Sequence, residues 1–173
     1  IAPGTRARNL LTQYLQTRQP DEFASCTDRV GWHGRAFVLP HETIGDVDER
    51  IVFHSESAME NTYRQRGTLD AWRDRVAALC AGNSRLVFPV PASFAAVLMH
   101  LINMESGGFH YRGGSSSGKT TALEVACSVF GGPDFMQRWR ATDNALESIA
   151  AQHCDGPLVL DEIAQVDAKA LGE

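Results

Sequence analysis

The sequence predicts an α/β fold, in which a core with a parallel sheet follows a small α+β region. Three observations predict it: a glycine- and serine-rich loop that leads into an amphipathic helix, a short apolar run that ends in two carboxylates, and an upstream region with the pattern of a hairpin. We therefore divide the chain into a small α+β region, residues 1–84, and an α/β core, residues 85–173.

The first region is predicted to begin with a helix and to continue with strands. The helix is indicated by apolar residues at helical spacing, namely Leu10, Leu11, Tyr14 and Leu15. Residues 30–40 predict a β-hairpin with a tight turn at His33-Gly34, and residues 50–54 predict a further strand.

Two helices are predicted around the boundary between the regions. Thr68 is a typical N-cap for an amphipathic helix that we expect to end at Gly82-Asn83. The stretch from Leu86 to Met104 is strongly apolar, but prolines, a histidine and Asn103 interrupt it, and its apolar part is shorter than the roughly 20 residues that a bilayer requires. We expect a buried helix that packs on the sheet, and no membrane association.

Residues 113–120 read Gly-Gly-Ser-Ser-Ser-Gly-Lys-Thr and match the phosphate-binding loop pattern G-x-x-x-x-G-K-[ST] at every fixed position. In that pattern, glycines let backbone N–H groups surround phosphate oxygens, and the next helix directs its positive end at them. The lysine reaches the outer phosphates, and the hydroxyl binds Mg2+. The pattern predicts a nucleotide site at Gly113, Gly114, Ser115, Ser116, Ser117, Gly118, Lys119, Thr120 and Thr121.

The sequence on either side favours this nucleotide site over the alternative, a plain Gly/Ser-rich turn. Aromatic residues in 108–112 predict a strand that leads into the loop. Downstream, Ala122, Leu123, Ala126 and Val129 recur at helical spacing until Gly131-Gly132-Pro133 ends the helix. The predicted order is strand, loop and helix.

The segment Leu158-Val159-Leu160-Asp161-Glu162 resembles a Walker B strand, and its Asp161 lies 42 residues after Lys119. Continuous apolar residues are typical of a buried parallel strand, and the C-terminal end of such a strand faces the ligand crevice. We expect Asp161 to hold Mg2+ together with Thr120. Glu162 and Lys119 are the predicted catalytic residues, with Glu162 activating the water that attacks the γ-phosphate. The alternative is a solvated turn after a core strand.

Between the two motifs there is room for one strand and one helix, which we predict at residues 137–141 and 144–153. Arg138 and Arg140 flank Trp139, a pattern compatible with a strip that stacks bases and contacts phosphates. The simpler interpretation is one solvated face and one packed tryptophan.

Composition limits the functional classes. With 43% hydrophobic and 21% charged residues, the chain is typical of a globular protein. Its net charge of -5 argues against a nucleic-acid binder that is driven by overall charge, although not against a local binding surface. The four cysteines form no C-x-x-C pair and the six histidines do not cluster with carboxylates, so zinc and haem sites are not predicted. Unpaired cysteines predict a reducing, cytoplasmic setting.

The chain begins with Ile rather than Met and ends 11 residues after Glu162. P-loop NTPases normally continue with strands that carry a sensor residue and an arginine finger. We therefore expect a piece of a longer protein, truncated after the Walker B strand, with an incomplete parallel sheet and no hydrolysis on its own.

Taken together, the motifs resemble a P-loop family of bacterial mobile elements, catalogued as domain of unknown function 927. The resemblance covers most of the chain from about residue 30 onward and rests on Trp32-His33-Gly34-Arg35, residues 79–86, residues 107–110, the 113–120 loop, residues 130–133, residues 139–142 and residues 160–163. Members are described as superfamily II helicases and inactivated derivatives, and they often accompany primase-type domains in phage, plasmid and integrative-element proteins. The resemblance implies phosphate binding at 113–120, metal at Thr120 and Asp161, and water activation by Glu162.

These observations predict a module that binds Mg2+ and ATP, hydrolyses ATP in the longer protein, and acts on DNA as a helicase. The implied partners are DNA, a primase-type domain and a second copy of the chain. ATP is preferred to GTP because an Asp-Glu pair suits ATPases that activate water, and no N-K-x-D sequence is present. Two alternatives stay open: a P-loop kinase of small molecules, and a nucleotide-dependent switch that binds without hydrolysis.

Overall fold

The computed structural model describes residues 4–54, 61–139 and 143–162. These residues form a mixed α/β structure in which helices accompany three small sheets. The predicted α/β class is therefore confirmed at this coarse level.

Residues 4–54 contain one helix and five short strands: α1 (Thr5–Thr17), β1 (Ala24–Thr27), β2 (Gly31–His33), β3 (Ala36–Val38), β4 (Thr43–Ile44) and β5 (Arg50–Phe53). Strand β1 pairs with β5 in parallel, and β2, β3 and β4 form an antiparallel sheet. The predicted hairpin and the strand at 50–54 are confirmed. The turn predicted at His33-Gly34 was wrong by one residue. Because His33 pairs with Ala36, the turn is Gly34-Arg35. Gly34 has the positive φ, 61°, that the tight turn needs.

Helix α1 forms where its periodicity predicts, but it buries none of its residues. Its apolar side chains Leu10 and Leu15 are 58% and 62% exposed. Amphipathic spacing predicted the helix correctly without indicating what its apolar face contacts.

The second half of the described chain is mainly helical, with two short strands. Its elements are α2 (Leu69–Trp72), a π-helical turn (Arg73–Ala77), α3 (Ala78–Cys80), α4 (Ser84–Val87), α5 (Pro89–Met99), α6 (Lys119–Cys127), a 3-10 turn (Pro133–Phe135), β6 (Gln137–Arg138), α7 (Asp143–Gln152) and β7 (Leu160–Asp161). The predicted N-cap is confirmed, because the Thr68 hydroxyl accepts a hydrogen bond from the Ala71 N–H at 3.2 Å. The helical run ends before Gly82, whose φ of 79° suits only a residue such as glycine.

The apolar stretch 86–104 contains α5 (Pro89–Met99), but the prediction of a buried helix on the sheet was wrong. Helix α5 contacts α6 instead, and it buries only Pro89 and Ser93. Phe94 and Leu98 are each 52% exposed. The overall apolarity of the stretch therefore overestimated how much of the helix is buried.

The strand predicted at 108–112 was also wrong, because these residues pair with no other strand of the described chain. Phe109 is 70% exposed and packs edge-on against Phe88, with the ring centroids 4.7 Å apart. Aromatic residues favour strands only when a neighbouring strand accepts their backbone hydrogen bonds. This segment is instead a loop that contacts Phe88, the residue that follows α4.

The order of elements after the loop agrees with the prediction. Helix α6 is followed by β6, α7 and β7, and the two strands pair in parallel, Gln137 opposite Leu160 and Arg138 opposite Asp161. Parallel neighbours require a crossover connection, and α7 lies in that connection. The segments predicted for the strand and helix between the motifs therefore contain β6 and α7.

The core lies at the C-terminal end of α6. Ala126, Cys127, Phe135 and Val159 form a buried cluster, against which the ring of Tyr63 packs. The Tyr63 and Phe135 rings meet edge-on at 5.1 Å, a favourable aromatic geometry. Tyr63 comes from the first region, so this core joins the two parts of the sequence.

Several hydrogen bonds also cross the boundary predicted between residues 84 and 85. The Trp32 ring N–H donates to the carbonyl of Val97, and the Trp32 backbone N–H donates to Asp155. The Trp72 ring N–H donates to the hydroxyl of Ser128. The division at this point stays a prediction. Among the described helices, none is both long enough and apolar enough to cross a bilayer.

Candidate functional site

The loop predicted to bind phosphate lies directly before α6. Gly118 precedes the first helical residue and has a φ of 83°, a left-handed conformation that a glycine adopts without strain. Ser116 also has a positive φ, 56°. The loop is closed internally, because the Ser117 hydroxyl donates to the carbonyl of Gly114 at 2.9 Å. The resulting turn is exposed, and it precedes the free N–H groups of the first helical turn.

Lys119 folds back over this loop. Its Nζ donates to the carbonyl oxygens of Gly113 at 3.0 Å and Gly114 at 2.6 Å, and it lies 3.3 Å from the Ser117 hydroxyl oxygen. The ammonium group therefore sits within the loop that it follows in sequence. A fixed positive charge beside the N-terminal end of a helix is a favourable environment for an anion.

Two oxygen-bearing side chains from distant parts of the chain meet next to this lysine. The Thr120 hydroxyl lies 3.5 Å from Oδ2 of Asp161, although the residues are 41 positions apart in sequence. Thr120 belongs to the first turn of α6, and Asp161 ends β7. The pairing of β6 with β7 and the contact of α6 with β7 bring the two oxygens together.

Glu162 lies at the edge of this group. Its backbone N–H donates to Oδ1 of Asp161 at 2.8 Å, and its φ of 64° turns the chain away from the strand direction. Its side chain is exposed, and no side chain of the described residues holds its carboxylate. The structure thus places Glu162 next to Asp161, and no described side chain fixes the orientation of the Glu162 carboxylate.

The remaining residues of the predicted site surround this centre. Ser115 and Ser116 are exposed on the outer part of the loop, and Thr121 is exposed on α6. Of the base-stacking strip considered for residues 138–140, Arg138 is exposed and Trp139 is partly buried, whereas Arg140 lies outside the described residues. The strip stays a hypothesis.

The side chains present would suit Mg2+ together with phosphate. Mg2+ commonly binds one or two protein oxygens and takes its other ligands from water and phosphate, and Thr120 with Asp161 offers such a pair. A metal site whose ligands all came from the protein would require more ligands than these two oxygens. In the described part of the chain, no group of three or more His, Cys, Asp and Glu side chains could hold a metal ion.

The four cysteines are free thiols. Cys127 is fully buried in the core, and burial raises the pKa of its thiol to about 12, with the nearby Glu124 charge as a smaller contribution. Burial likewise raises the pKa of Cys154. Neither thiol is activated as a nucleophile.

Sequence reasoning missed two features of the structure. Asp155 joins three elements: it accepts from the Trp32 N–H at 2.9 Å and lies 3.5 Å from Nδ1 of His100. The Asp-Gly pair at 155–156 was the available signal, since it is typical of a turn. The second feature is a cavity beside Trp72, whose lining comes from four separate segments and leaves no compact pattern in the sequence.

Comparison with known families assigns the chain to one of them. The model of the family described as "Domain of unknown function (DUF927)" matches residues 2–173, so the chain belongs to that family. The family resemblance predicted from the motifs is confirmed at this level. Neither the curated proteins nor the solved structures contain a match to the chain.

Proposed function

We propose that this family member is a P-loop module that binds Mg2+ and ATP, and that it drives work on DNA. One observation carries the proposal: the Thr120 hydroxyl and the Asp161 carboxylate meet at 3.5 Å, beside a loop that is occupied by the Lys119 ammonium group. A plain Gly/Ser-rich turn would give no reason for an acid 41 residues away to end at this position.

Each residue of the group has a distinct role in the proposal. The backbone N–H groups at the start of α6 and the Lys119 ammonium bind phosphate oxygens. Thr120 and Asp161 hold Mg2+, which when bound neutralises charge on the phosphates. Glu162 accepts a proton from the attacking water and orients it, once its carboxylate turns towards the loop.

The preference for ATP and for DNA rests on the sequence. No N-K-x-D segment that reads guanine is present, and the family resemblance implies mobile-element replication proteins with primase-type partners. The net charge of -5 requires any DNA contact to be local.

A second candidate is a nucleotide-dependent switch that binds ATP without hydrolysing it. The Glu162 carboxylate is exposed and no described side chain holds it, which favours this candidate, because phosphoryl transfer to water depends on a positioned water. The P-loop kinase stays a third alternative, and it predicts that ATP is consumed only with a small-molecule acceptor.

The first test is ATP binding by the Lys119→Ala variant. We expect Mg-ATP affinity, measured by titration calorimetry, to fall at least about a hundredfold, because the variant loses the charge-assisted contacts to phosphate. Circular dichroism should stay unchanged, since the lysine contacts only the exposed loop. Arg85→Ala, an exposed charge on α4, is the matched control. A folded Lys119→Ala protein with native affinity would refute the assignment.

The second test separates the ATPase from the switch. Glu162→Gln should keep ATP bound and stop turnover, with and without single-stranded DNA. Turnover by the native protein that depends on Lys119 and rises with DNA supports the motor. Bound ATP that is not hydrolysed under either condition supports the switch, and hydrolysis at the native rate by Glu162→Gln excludes Glu162 as the water activator.

A further inference from the structure

A cavity of about 670 Å³ opens at the C-terminal end of α6, the end opposite to the phosphate loop. This volume lies in the range of about 300–1,000 Å³ that is usual for small-molecule sites. None of the residues at 113–121 or 161–162 lines it. Because α6 has 9 residues and a helix rises about 1.5 Å per residue, the cavity lies roughly 13 Å from the loop along the helix.

Aromatic rings line this cavity, namely those of Trp72, Phe94 and Phe130. The indole of Trp72 is fixed by its hydrogen bond to the Ser128 hydroxyl at 3.0 Å. Phe130 is held by its stacking on Phe135, with the ring centroids 6.1 Å apart. Phe94 is 52% exposed, so the ring of this lining residue is partly accessible to solvent. Aromatic rings that are held in place, one of them partly exposed, offer a surface on which a planar ligand can stack.

The same cavity is lined by two arginines, Arg64 and Arg66, and among the described residues Glu42 is its one acidic lining residue. The segment that bears the arginines is anchored beside the rings, because the backbone N–H of Arg64 donates to the carbonyl of Phe130 at 3.1 Å. Tyr63 forms an antiparallel bridge to Gly131 next to it. Arg66 is exposed and makes no ion pair with any of the described acidic residues.

Aromatic rings together with the Arg66 guanidinium group in one cavity suit a ligand that is both planar and anionic. The geometry points to a second binding site in this cavity, separate from the phosphate loop, for a nucleobase together with its phosphate. Phe94 and Trp72 would stack the base, and Arg66 would pair with the phosphate. Such a unit occurs in a free mononucleotide and in single-stranded nucleic acid. The inference does not depend on the function proposed for the loop.

The experiment uses a background in which the loop is disabled, Lys119→Ala, so that failure of one site is distinguishable from failure of the other. AMP and a fluorescein-labelled twelve-residue oligo(dA) strand are the probes; AMP binding is followed by quenching of tryptophan fluorescence and strand binding by anisotropy. We expect at least one probe to bind saturably. In that background, Phe94→Ala and Arg66→Gln should each weaken binding about fivefold to tenfold, the effect expected for one lost stacking or phosphate contact. The matched control is Arg85→Gln, an exposed arginine that does not line the cavity.

The two probes identify the source of the ligand. Binding of AMP indicates a mononucleotide site, and binding of the strand but not of AMP, weakened by Phe94→Ala, indicates a strand that crosses the cavity. The inference is overturned if neither probe binds, if Phe94→Ala leaves the affinity unchanged, or if Arg85→Gln weakens binding as much as Arg66→Gln does. The last result would indicate diffuse attraction of the phosphates by surface charge.

Discussion

The two ends of helix α6 serve different purposes within 9 residues. At the N-terminal end, Lys119 and Thr120 direct polar atoms at the loop carbonyls and at Asp161, in a largely exposed setting. At the C-terminal end, Ala126 and Cys127 are buried with Phe135. One end presents a group that can bind a ligand, and the other fixes the helix in the core. Substitutions at the two ends should therefore separate ligand binding from stability.

The largest effect on stability is expected at the core end. Phe135 is 0% exposed and touches the rings of Tyr63 and His153 at centroid distances of 5.1 and 4.9 Å. Phe135→Ala should lower the free energy of unfolding by about 3–5 kcal/mol, because it removes buried area and leaves a cavity. Urea denaturation followed by circular dichroism measures this change. Phe135→Leu, which keeps most of the volume, should lose less than about 2 kcal/mol, and equal losses would contradict the packing explanation.

The opposite pattern is expected at the loop end. Asp161→Asn should reduce the affinity for ATP about tenfold or more when Mg2+ is present, because the amide is a poorer ligand, and should change it little in EDTA. The free energy of unfolding should change by less than about 0.5 kcal/mol, since an asparagine oxygen can still accept from the Glu162 N–H.

Asp134→Asn is the control for this experiment, since Asp134 is an exposed acid outside the loop. A loss of affinity that is the same with Mg2+ and with EDTA would remove Asp161 from the predicted metal site.

The same contrast explains how far the sequence alone could predict the structure. The loop and its helix follow from local rules: glycine at a left-handed position, and apolar spacing after it. The pairing of Thr120 with Asp161 was predictable because parallel strands bring their C-terminal ends to one edge. The strand at 108–112 and the burial of α5 failed, because both depend on partners that local patterns do not specify.

The cavity beside Trp72 illustrates the same limit. Its walls are brought together by contacts such as the hydrogen bond from Arg64 to Phe130, which join residues 66 positions apart. Arginine and aromatic residues are common in any chain, and only their packing gives them a shared surface. Sequence reasoning had no spacing rule with which to find this site.

A pH dependence should arise at the core end. His153 is buried and its Nδ1–H donates to the Ile149 carbonyl at 2.8 Å, while Nε2 is buried with no partner among the described residues. Burial lowers the pKa of His153 below its usual 6.5, and the bond to Ile149 opposes this shift only partly. The folded state then binds fewer protons than the unfolded state below about pH 6.5, so stability should fall as the pH is lowered through that value.

One such group changes the free energy of unfolding by at most about 1.4 kcal/mol per pH unit. Urea denaturation between pH 7.5 and 5 measures the slope. His153→Asn, which keeps a donor near the Ile149 carbonyl, is the comparison: its slope should be smaller than that of the native protein. The His100–Asp155 pair stays in both proteins, so its contribution cancels. Equal slopes would contradict a buried neutral histidine.

The smallest effect concerns the contact that ties α5 to the core end of α6. Ser93 is 2% exposed, and its hydroxyl donates to the carbonyl of Ala126 at 3.2 Å. Ser93→Ala should lower the free energy of unfolding by only about 0.5–1 kcal/mol, because the Ala126 carbonyl also accepts from the Val129 N–H at 3.3 Å and is not left unpaired. Mg-ATP affinity should stay native.

Ser117→Ala is the matched variant at the other end of the helix, where the hydroxyl bonds the exposed Gly114 carbonyl. It should leave stability within about 0.5 kcal/mol of the native value and weaken Mg-ATP binding, because the loop loses the bond that closes it. If Ser93→Ala weakened binding as much as Ser117→Ala does, the two ends of α6 would be coupled. The helix would then transmit changes in the core to the loop instead of insulating one end from the other.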